Sequence, residues 1–130
     1  REQGYRAALK NHHLKVNKTR IAEIDFDDIA GQVKLKLQEL LSPEMGVNAL
    51  FSVNNRITVA CLACLKEMNI KVPEEIALVS FDDVELFRFS FPSITAVAQP
   101  TEKIGEEAVK LLFDIMNKAY QGEIIQKSFL

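Results

Sequence analysis

Apolar residues are arranged along this chain in two alternating patterns, and each pattern predicts a different kind of element. Short apolar runs bounded by polar or turn residues are typical of strands, and they occur at 19–26, 47–53, 76–79 and 94–98. Between these runs, apolar residues recur at helical spacing over 1–12, 29–41, 55–68 and 101–120, and a last strand is expected at 124–130. Because strands and helices alternate, we predict an α/β fold in which a parallel sheet is flanked by helices.

Polar residues follow three of the predicted strands. Phe26 stands among three acids, Asn54 and Asn55 follow the next strand, and Asp82 and Asp83 follow the third. Open α/β sheets bind ligands at the carboxyl ends of their strands. Asn and Asp can hydrogen-bond hydroxyl groups and an aromatic ring can cover an apolar ring face, so this set predicts a sugar or nucleoside site. The alternative is that each Asn or Asp only caps the helix that follows.

The composition is that of a small folded unit with little net charge. At 130 residues and 48% hydrophobic content, the chain is one domain or a part of one, with a packed core. A net charge of −2 argues against a surface that coats nucleic acid, and we interpret the basic segment 1–20 as a solvated helix face and loop. No apolar run approaches the ~20 residues of a membrane span. The chain opens without Met in a helical pattern, so a leader could precede it.

The two cysteines, Cys61 and Cys64, have the spacing of a redox or zinc motif. A redox pair is expected at a helix N-terminus, where the helix dipole lowers the thiol pKa, whereas this pair lies well inside a predicted helix. A zinc site needs further ligands, and the two histidines, His12 and His13, are remote in sequence. We therefore predict buried, reduced core residues, as in a cytoplasmic protein, and no metal or cofactor.

Motifs of enzymes with related folds are missing from the sequence. The chain has no G-x-G-x-x-G, no P-loop and no G-x-S-x-G segment, and neither histidine is near the acids. Asp82 and Asp83 remain an alternative metal or acid/base pair, but adjacent residues after a strand point apart. We predict that the chain is not an enzyme.

Five segments, in order, resemble the effector-binding core of the LacI/GalR family of bacterial transcriptional repressors. The most specific is MNIKVPEEIALVSFDD at 68–83, which resembles the family motif G-I-x-V-P-x-D-I-x-V-x-G-F-D-D. The others are REQGY at 1–5, FSVNN at 51–55, PSITAV at 92–97, and QP at 99–100 with Gly105 and Ala108. The resemblance covers the chain almost from end to end and implies a partial type I periplasmic-binding-protein-like fold.

The resemblance also implies an effector site and assigns residues to it by position. Arg1 is expected to hold hydroxyl groups or a carboxylate with its planar fork, and Phe26 to lie against the ligand ring. Asn54 and Asp82 are expected to hydrogen-bond hydroxyls, and Gln99 to line the cleft near the hinge. Arg1 could alternatively be only a helix-end charge, and Phe26 could be a core residue.

The chain departs from the family pattern at four places. Asn55 replaces the usual Asp, which removes a charge next to the expected cleft. Ser80 stands where Gly is common, and Thr58 stands where Ala is usual. Met68 and Asn69 replace a helix-ending Gly, but Asn tolerates the left-handed conformation of such a cap.

The resemblance further implies a larger protein. Family members begin with a helix-turn-helix that reads operator DNA as a dimer, followed by two α/β subdomains that close on an effector. The head, the first subdomain and the opening strands of the second are expected to lie outside this chain. Residues 1–98 are assigned mostly to the second subdomain, 99–121 to a helix that belongs to the first, and 122–130 to a terminal strand. Without that first subdomain, we expect the helix to fold onto its own sheet or to be exchanged with a second copy.

Dimer contacts in the family come largely from this half of the protein. The resemblance assigns them to the helix at 55–68 and to the apolar loop at 85–91, and the predicted interface residues are Leu62, Leu86, Phe87 and Phe89. Ordinary core packing is the alternative for this loop.

These observations predict the ligand-sensing and dimerisation part of a cytoplasmic repressor. The expected partners are a sugar-like effector, a second copy of the chain and operator DNA, with no membrane. Effector binding is expected to bias a two-state arrangement of the subdomains. A periplasmic sugar-binding protein shares this architecture and is the alternative, although the turn at 72–76 and the apolar loop favour the repressor.

Overall fold

The computed structural model describes residues 1–117, and it confirms the predicted α/β fold with alternating strands and helices. The elements are α1 (Glu2–Asn11), α2 (Ile29–Leu40), β1 (Ala49–Ser52), α3 (Asn55–Glu67), β2 (Ala77–Phe81), α4 (Leu86–Phe89), β3 (Thr95–Val97) and α5 (Thr101–Met116). Short 3₁₀ turns lie at Lys18–Arg20 and Pro43–Met45. The chain divides into two units, Arg1–Val97 and Ala98–Leu130.

The sheet of the first unit has three parallel strands in the order β1-β2-β3. Ser52 of β1 pairs with Ser80 of β2, and Ser80 pairs in turn with Ala96 of β3. β2 is central among the described strands, and its continuous apolar run is typical of a parallel strand that is covered on both faces. Since all three strands run in the same direction, the residues that follow them lie along one edge of the sheet.

The core lies where α2 and α3 pack against each other. Val33 and Leu37 of α2 are 2% and 3% exposed, which confirms the apolar stripe predicted for this helix. Cys61, Cys64 and Leu65 supply the facing side of α3. Each large apolar side chain buried in this way stabilises the fold by about 1.5–3 kcal/mol.

Both cysteines are free and buried, as predicted. Burial raises the pKa of the Cys61 thiol to about 11, and the neighbouring charge of Cys64 adds to the shift. Burial also raises the pKa of Cys64, with the Glu67 carboxylate as the second cause. A thiol that resists ionisation is a poor nucleophile and a poor metal ligand, so these residues act as core packing.

Side-chain caps define the helix ends. The Asp28 carboxylate accepts the N–H of Gly31 at 3.0 Å, and the Asn54 amide oxygen accepts the N–H of Ile57 at 2.9 Å. At the other end of α3, Asn69 takes the left-handed conformation with φ of +57°, and the helix closes with the paired backbone bonds of a Schellman motif. This confirms that Asn serves where the family uses Gly.

Two predicted segments differ from the structure. The strand expected at 19–26 is absent: a 3₁₀ turn at Lys18–Arg20 is followed by backbone that joins no sheet among the described residues. The apolar content of this segment was correctly noted, but a strand also needs a neighbour with which to exchange hydrogen bonds. The second difference lies in the apolar loop predicted at 85–91, where the short helix α4 forms and buries Phe87.

The second unit contains α5, which follows Pro100 as predicted. One side of α5 carries exposed apolar side chains, among them Ile104, Leu112 and Ile115. The structure places the boundary between the units after Val97, one residue before the predicted one, and the assignment of 99–121 to another subdomain stays a prediction. The end of the predicted helix at 118–120 and the strand expected at 124–130 lie outside the described residues. Within residues 1–117, no helix has both the length and the apolar content needed to cross a bilayer.

Candidate functional site at the carboxyl ends of the strands

The strand ends bring two of the predicted site residues to the same edge of the sheet. Asn54 follows β1 and Asp82 follows β2, and the last residue of β1, Ser52, pairs with Ser80, one residue before the end of β2. Asp82 has a φ of +76° and donates its backbone N–H to the carbonyl of Val97 at the end of β3. The ends of all three strands are therefore tied into one rim.

A buried pair of hydroxyl groups links the two strand ends. The oxygens of Thr58 and Ser80 lie 2.7 Å apart, and both residues are fully buried. Thr58 also reaches the carbonyl of Asn54 at 2.9 Å, and Ser80 reaches the carbonyl of Asp82 at 3.4 Å. Sequence reasoning noted Thr58 and Ser80 separately, as departures from the usual Ala and Gly, but nothing in the sequence showed that the two residues meet.

Arg1 makes three contacts at this rim. Its guanidinium lies 3.6 Å from the carboxylate of Asp82, donates to the carbonyl of Val53, and stacks 4.2 Å above the ring of Phe81. Arg1 and Asp82 are partly exposed, so the ion pair remains accessible to a polar ligand. The alternative in which Arg1 is only a helix-end charge is not what the structure shows.

Phe26 is 54% exposed and is therefore not a core residue. The guanidinium of Arg56 lies 5.5 Å from the centre of its ring, within the range of a cation–π contact. Arg56 was not predicted as a site residue, because a single Arg at the start of a helix carries no specific signal. The ring of Phe26 is thus solvent-accessible and lies within contact range of one cationic side chain, that of Arg56.

A cavity of about 870 Å³ collects three of the five predicted site residues, Arg1, Phe26 and Asn54. Asp82 is not part of its lining and is joined to it through Arg1. Gln99 belongs to the second unit, where its carbonyl accepts the N–H of Thr101, and its role at the site stays a prediction.

The rim offers both donors and acceptors to a ligand. The oxygen of the Asn54 side chain already caps α3, so its NH₂ group is the part left to donate. Arg1 supplies further donors in a planar fork, and the Asp82 carboxylate accepts. Asp83 is held instead by Arg88 at 3.0 Å, and this pair raises the pKa of the arginine by hydrogen bonding. Such a mixture suits a ligand with several hydroxyl groups.

The predicted dimer residues fall into different environments. Leu86 and Phe89 are 62% and 77% exposed, and Leu62 is half-buried. Phe87 is only 1% exposed and packs inside the unit, which favours the alternative of core packing for this residue, and the interface assignments stay predictions. Alternate residues of a short helix face opposite sides, which is why one of these aromatic residues points inward.

Comparison with known proteins places the chain among regulators of transcription. A family profile described as a periplasmic binding protein-like domain matches residues 1–127. The repressor CytR of Escherichia coli K12 is 34% identical over 122 residues, which are 94% of this chain and 35% of CytR. The regulator CelR of Thermobifida fusca is 34% identical over 114 residues, which are 88% of this chain and 33% of CelR.

The solved structures agree with the sequence comparison. A complex of the transcriptional regulator CelR with cellobiose superposes with a TM-score of 0.77 at 30% identity, over 92% of this chain and 36% of that one. This chain thus spans about a third of the length of the relatives it matches. These relatives are transcriptional regulators and not enzymes. The chain belongs to the periplasmic binding protein-like family, and within it to the effector-binding domains of LacI/GalR transcriptional regulators.

Proposed function

We propose that this chain is the ligand-sensing and dimerisation part of a transcriptional repressor, and that its effector is a sugar or a related metabolite. The observation that carries the proposal is the cluster of Arg1, Phe26 and Asn54 on one cavity, with Asp82 paired to Arg1 at its rim. A planar cation, an amide donor, a carboxylate and an exposed aromatic ring together match the hydroxyl groups and the apolar face of a sugar ring.

The relatives support this class of ligand and this kind of protein. CelR has been solved in complex with cellobiose, and its structure is similar to 92% of this chain. The sequence relatives are repressors and regulators of transcription, which favours the cytoplasmic repressor over a periplasmic sugar-binding protein. Operator DNA would be read by a part of the regulator outside these 130 residues.

The mechanism that follows is a two-state switch. A ligand held between the rim of this unit and a facing subdomain would favour the closed arrangement of the two. The free energy available for switching equals the difference in affinity of the ligand for the two arrangements. In a dimer, this difference would alter the spacing of the DNA-reading heads.

The dimer part of the proposal is supported by exposed apolar side chains around α4. Leu86, Phe89 and Phe91 are 62%, 77% and 103% exposed within one short segment. Clustered exposed aromatic and aliphatic residues are typical of interaction surfaces, and an aromatic anchor is a common centre of binding energy.

The site is tested by ligand-induced thermal shifts in the full regulator, screened against cellobiose, monosaccharides, nucleosides and phosphorylated sugars. Asp82→Ala should weaken a compound that shifts the wild-type protein by tenfold or more, since it removes an acceptor and the partner of Arg1. Asp83→Ala is the matched control, because it removes an adjacent carboxylate that is held by Arg88. Equal affinities for the wild-type protein and Asp82→Ala would refute the site assignment.

A further inference from the structure

The buried polar side chains of the molecule are concentrated directly beneath the candidate site. Among residues 1–117, the polar residues that are buried are Ser52, Thr58 and Ser80, at 4%, 0% and 0% exposure. Ser52 and Ser80 are register partners on β1 and β2, and Thr58 lies near the start of α3. Burial of a hydroxyl group costs free energy unless the group is hydrogen-bonded, so packing alone does not account for three of them in one place. We call these three residues the hydroxyl cluster.

The hydroxyl cluster holds the backbone of Asn54. The carbonyl oxygen of Asn54 lies 3.1 Å from the hydroxyl of Ser52 and 2.9 Å from the hydroxyl of Thr58. The same carbonyl accepts the backbone N–H of Thr58 at 3.0 Å. The side-chain oxygen of Asn54 accepts the N–H of Ile57 at 2.9 Å. Because both its carbonyl and its amide oxygen are bonded, Asn54 has little freedom to move its NH₂ group.

The same cluster reaches the peptide groups on both sides of Asp82. The hydroxyl oxygens of Thr58 and Ser80 are 2.7 Å apart, and the Ser80 hydroxyl lies 3.2 Å from the carbonyl of Phe81 and 3.4 Å from that of Asp82. Asp82 has a φ of +76°, which is uncommon for a residue with a side chain. Such a conformation persists only where the surrounding structure holds it. Here the cluster and the bond from the Asp82 N–H to the Val97 carbonyl hold it.

The central bond of the cluster depends on two departures of this chain from the family pattern. Thr58 stands where Ala is usual, and Ser80 stands where Gly is common. Neither Ala nor Gly has a polar side-chain atom, so the bond between the two side chains requires both departures at once. The two residues are 22 positions apart in the sequence and meet beneath the site, which indicates that they act together.

We propose that the hydroxyl cluster is a positioning element, which fixes the separation of the Asn54 amide and the Asp82 carboxylate and thereby selects effectors by the placement of their hydroxyl groups. This inference rests on the proposed function, because it concerns the same effector site. Thr58 and Ser80 are fully buried, so they act on a ligand through Asn54 and Asp82 and not by contact.

A fixed separation affects both affinity and selectivity. Groups that are already in place bind a ligand without losing conformational freedom on binding, which raises the affinity. A ligand with one hydroxyl group missing or misplaced leaves a polar group of the rim unpaired, and a rigid rim cannot adjust to it. Loss of the hydroxyl cluster should therefore lower the affinity for the preferred ligand and also reduce the discrimination against its analogue.

The binding test compares Thr58→Val and Thr58→Ser in the full regulator. Val keeps the shape of Thr and lacks the hydroxyl, whereas Ser keeps the hydroxyl and lacks the methyl group. Affinities are measured for two pairs of probes that differ at one hydroxyl group, cellobiose with lactose and adenosine with 2′-deoxyadenosine. For the pair that binds, Thr58→Val should lower the affinity for the preferred member by about tenfold and reduce the discrimination within the pair. Thr58→Ser should retain both.

Hydrogen exchange in the ligand-free regulator tests the positioning role without any probe. The amide of Asp82, which is bonded to the Val97 carbonyl, should exchange about tenfold faster in Thr58→Val than in the wild-type protein and should be unchanged in Thr58→Ser. A general loss of stability would speed the exchange of core amides such as that of Leu37. It would not produce a difference between the two variants that is confined to Asp82.

The outcomes separate this inference from the proposed function. If Asp82→Ala weakens a probe and Thr58→Val changes neither affinity nor discrimination, the effector site stands and the positioning role is refuted. If Asp82→Ala also has no effect, the site assignment itself fails. If none of the four probes binds, the exchange of the Asp82 amide decides, and equal rates in Thr58→Val and Thr58→Ser overturn the proposal. If Thr58→Val does not fold, Thr58→Ala combined with Ser80→Gly, which restores the family pattern, replaces it with the same expected results.

Discussion

The buried bond between Thr58 and Ser80 allows a quantitative test of how the two strand ends are joined. Each hydroxyl has one proton, so two arrangements are available. Either Ser80 donates to Thr58 and Thr58 donates to the Asn54 carbonyl, or Thr58 donates to Ser80 and Ser80 donates to a carbonyl after β2. In both arrangements the same bond, 2.7 Å long, is shared by the two residues.

The magnitude follows from what each substitution leaves behind. After Thr58→Val, Ser80 can still donate to the carbonyl of Phe81 at 3.2 Å, and after Ser80→Ala, Thr58 can still donate to Asn54 at 2.9 Å. Neither remaining hydroxyl is orphaned, so each single variant should lower the free energy of unfolding by about 0.5–1.5 kcal/mol, the net worth of one hydrogen bond. The double variant loses the shared bond only once, so its effect should be smaller than the sum of the two by about 1 kcal/mol.

The assay is urea unfolding of the wild-type chain, the two single variants and the double variant, with free energies compared at constant m-value. Thr58→Val combined with Thr19→Val is the control cycle, because the Thr19 hydroxyl bonds to Asn17 and shares no partner with Thr58 among residues 1–117. The control cycle should be additive within about 0.3–0.5 kcal/mol. If the Thr58 and Ser80 effects were equally additive, the two hydroxyls would not be coupled and the link between the strand ends would be refuted.

Three further predictions concern a helix cap, a core thiol and the proposed interface. Asn54→Ala and Asp28→Ala should each lower the free energy of unfolding by about 1 kcal/mol, because each removes an N-cap. In thermal-shift titrations of the full regulator, only Asn54→Ala should lower the affinity for a confirmed effector, because Asn54 lines the cavity and Asp28 does not. The pKa of Cys61 is raised to about 11, so the native state holds this proton more tightly than the unfolded state. The contribution of Cys61 to stability should therefore be lost as pH rises from 9 to 11. Iodoacetamide at pH 8 should label this thiol only when the chain unfolds. Phe89→Ser should shift the full regulator toward monomer in light scattering, whereas Leu35→Ser, which replaces an apolar residue 60% exposed on α2, should not; an unchanged mass for Phe89→Ser would count against the α4 surface.

The parts of the fold that depend on local sequence were predictable. Examples are the apolar run of β2, the caps Asp28 and Asn54, and the left-handed Asn69. In each case the local structure follows from the side chain itself or from its immediate neighbours in the sequence. The shared edge of β1 and β2 also followed, because alternating strands and helices force parallel strands whose ends coincide. For this reason Asn54 and Asp82 could be predicted to lie on one rim.

The parts that depend on pairing between distant residues were not predictable. Ser80 in a strand and Thr58 in a helix look like ordinary small polar residues, and only the register of α3 against β2 brings their oxygens together. Phe87 and Phe89 have the same character in the sequence, yet one is buried and the other exposed, because side chains two residues apart on a helix point in nearly opposite directions. Exposure in such a loop is set by rotation about the helix axis, which composition does not encode.

For residues 19–26, the predicted apolar character is found in the structure, but the predicted strand is not. Ile21 and Ile24 remain half-buried and line the cavity of the candidate site, so the segment keeps the apolar surface expected of a strand. What it lacks is a neighbour, since hydrogen bonds in a sheet are made between strands and not within them.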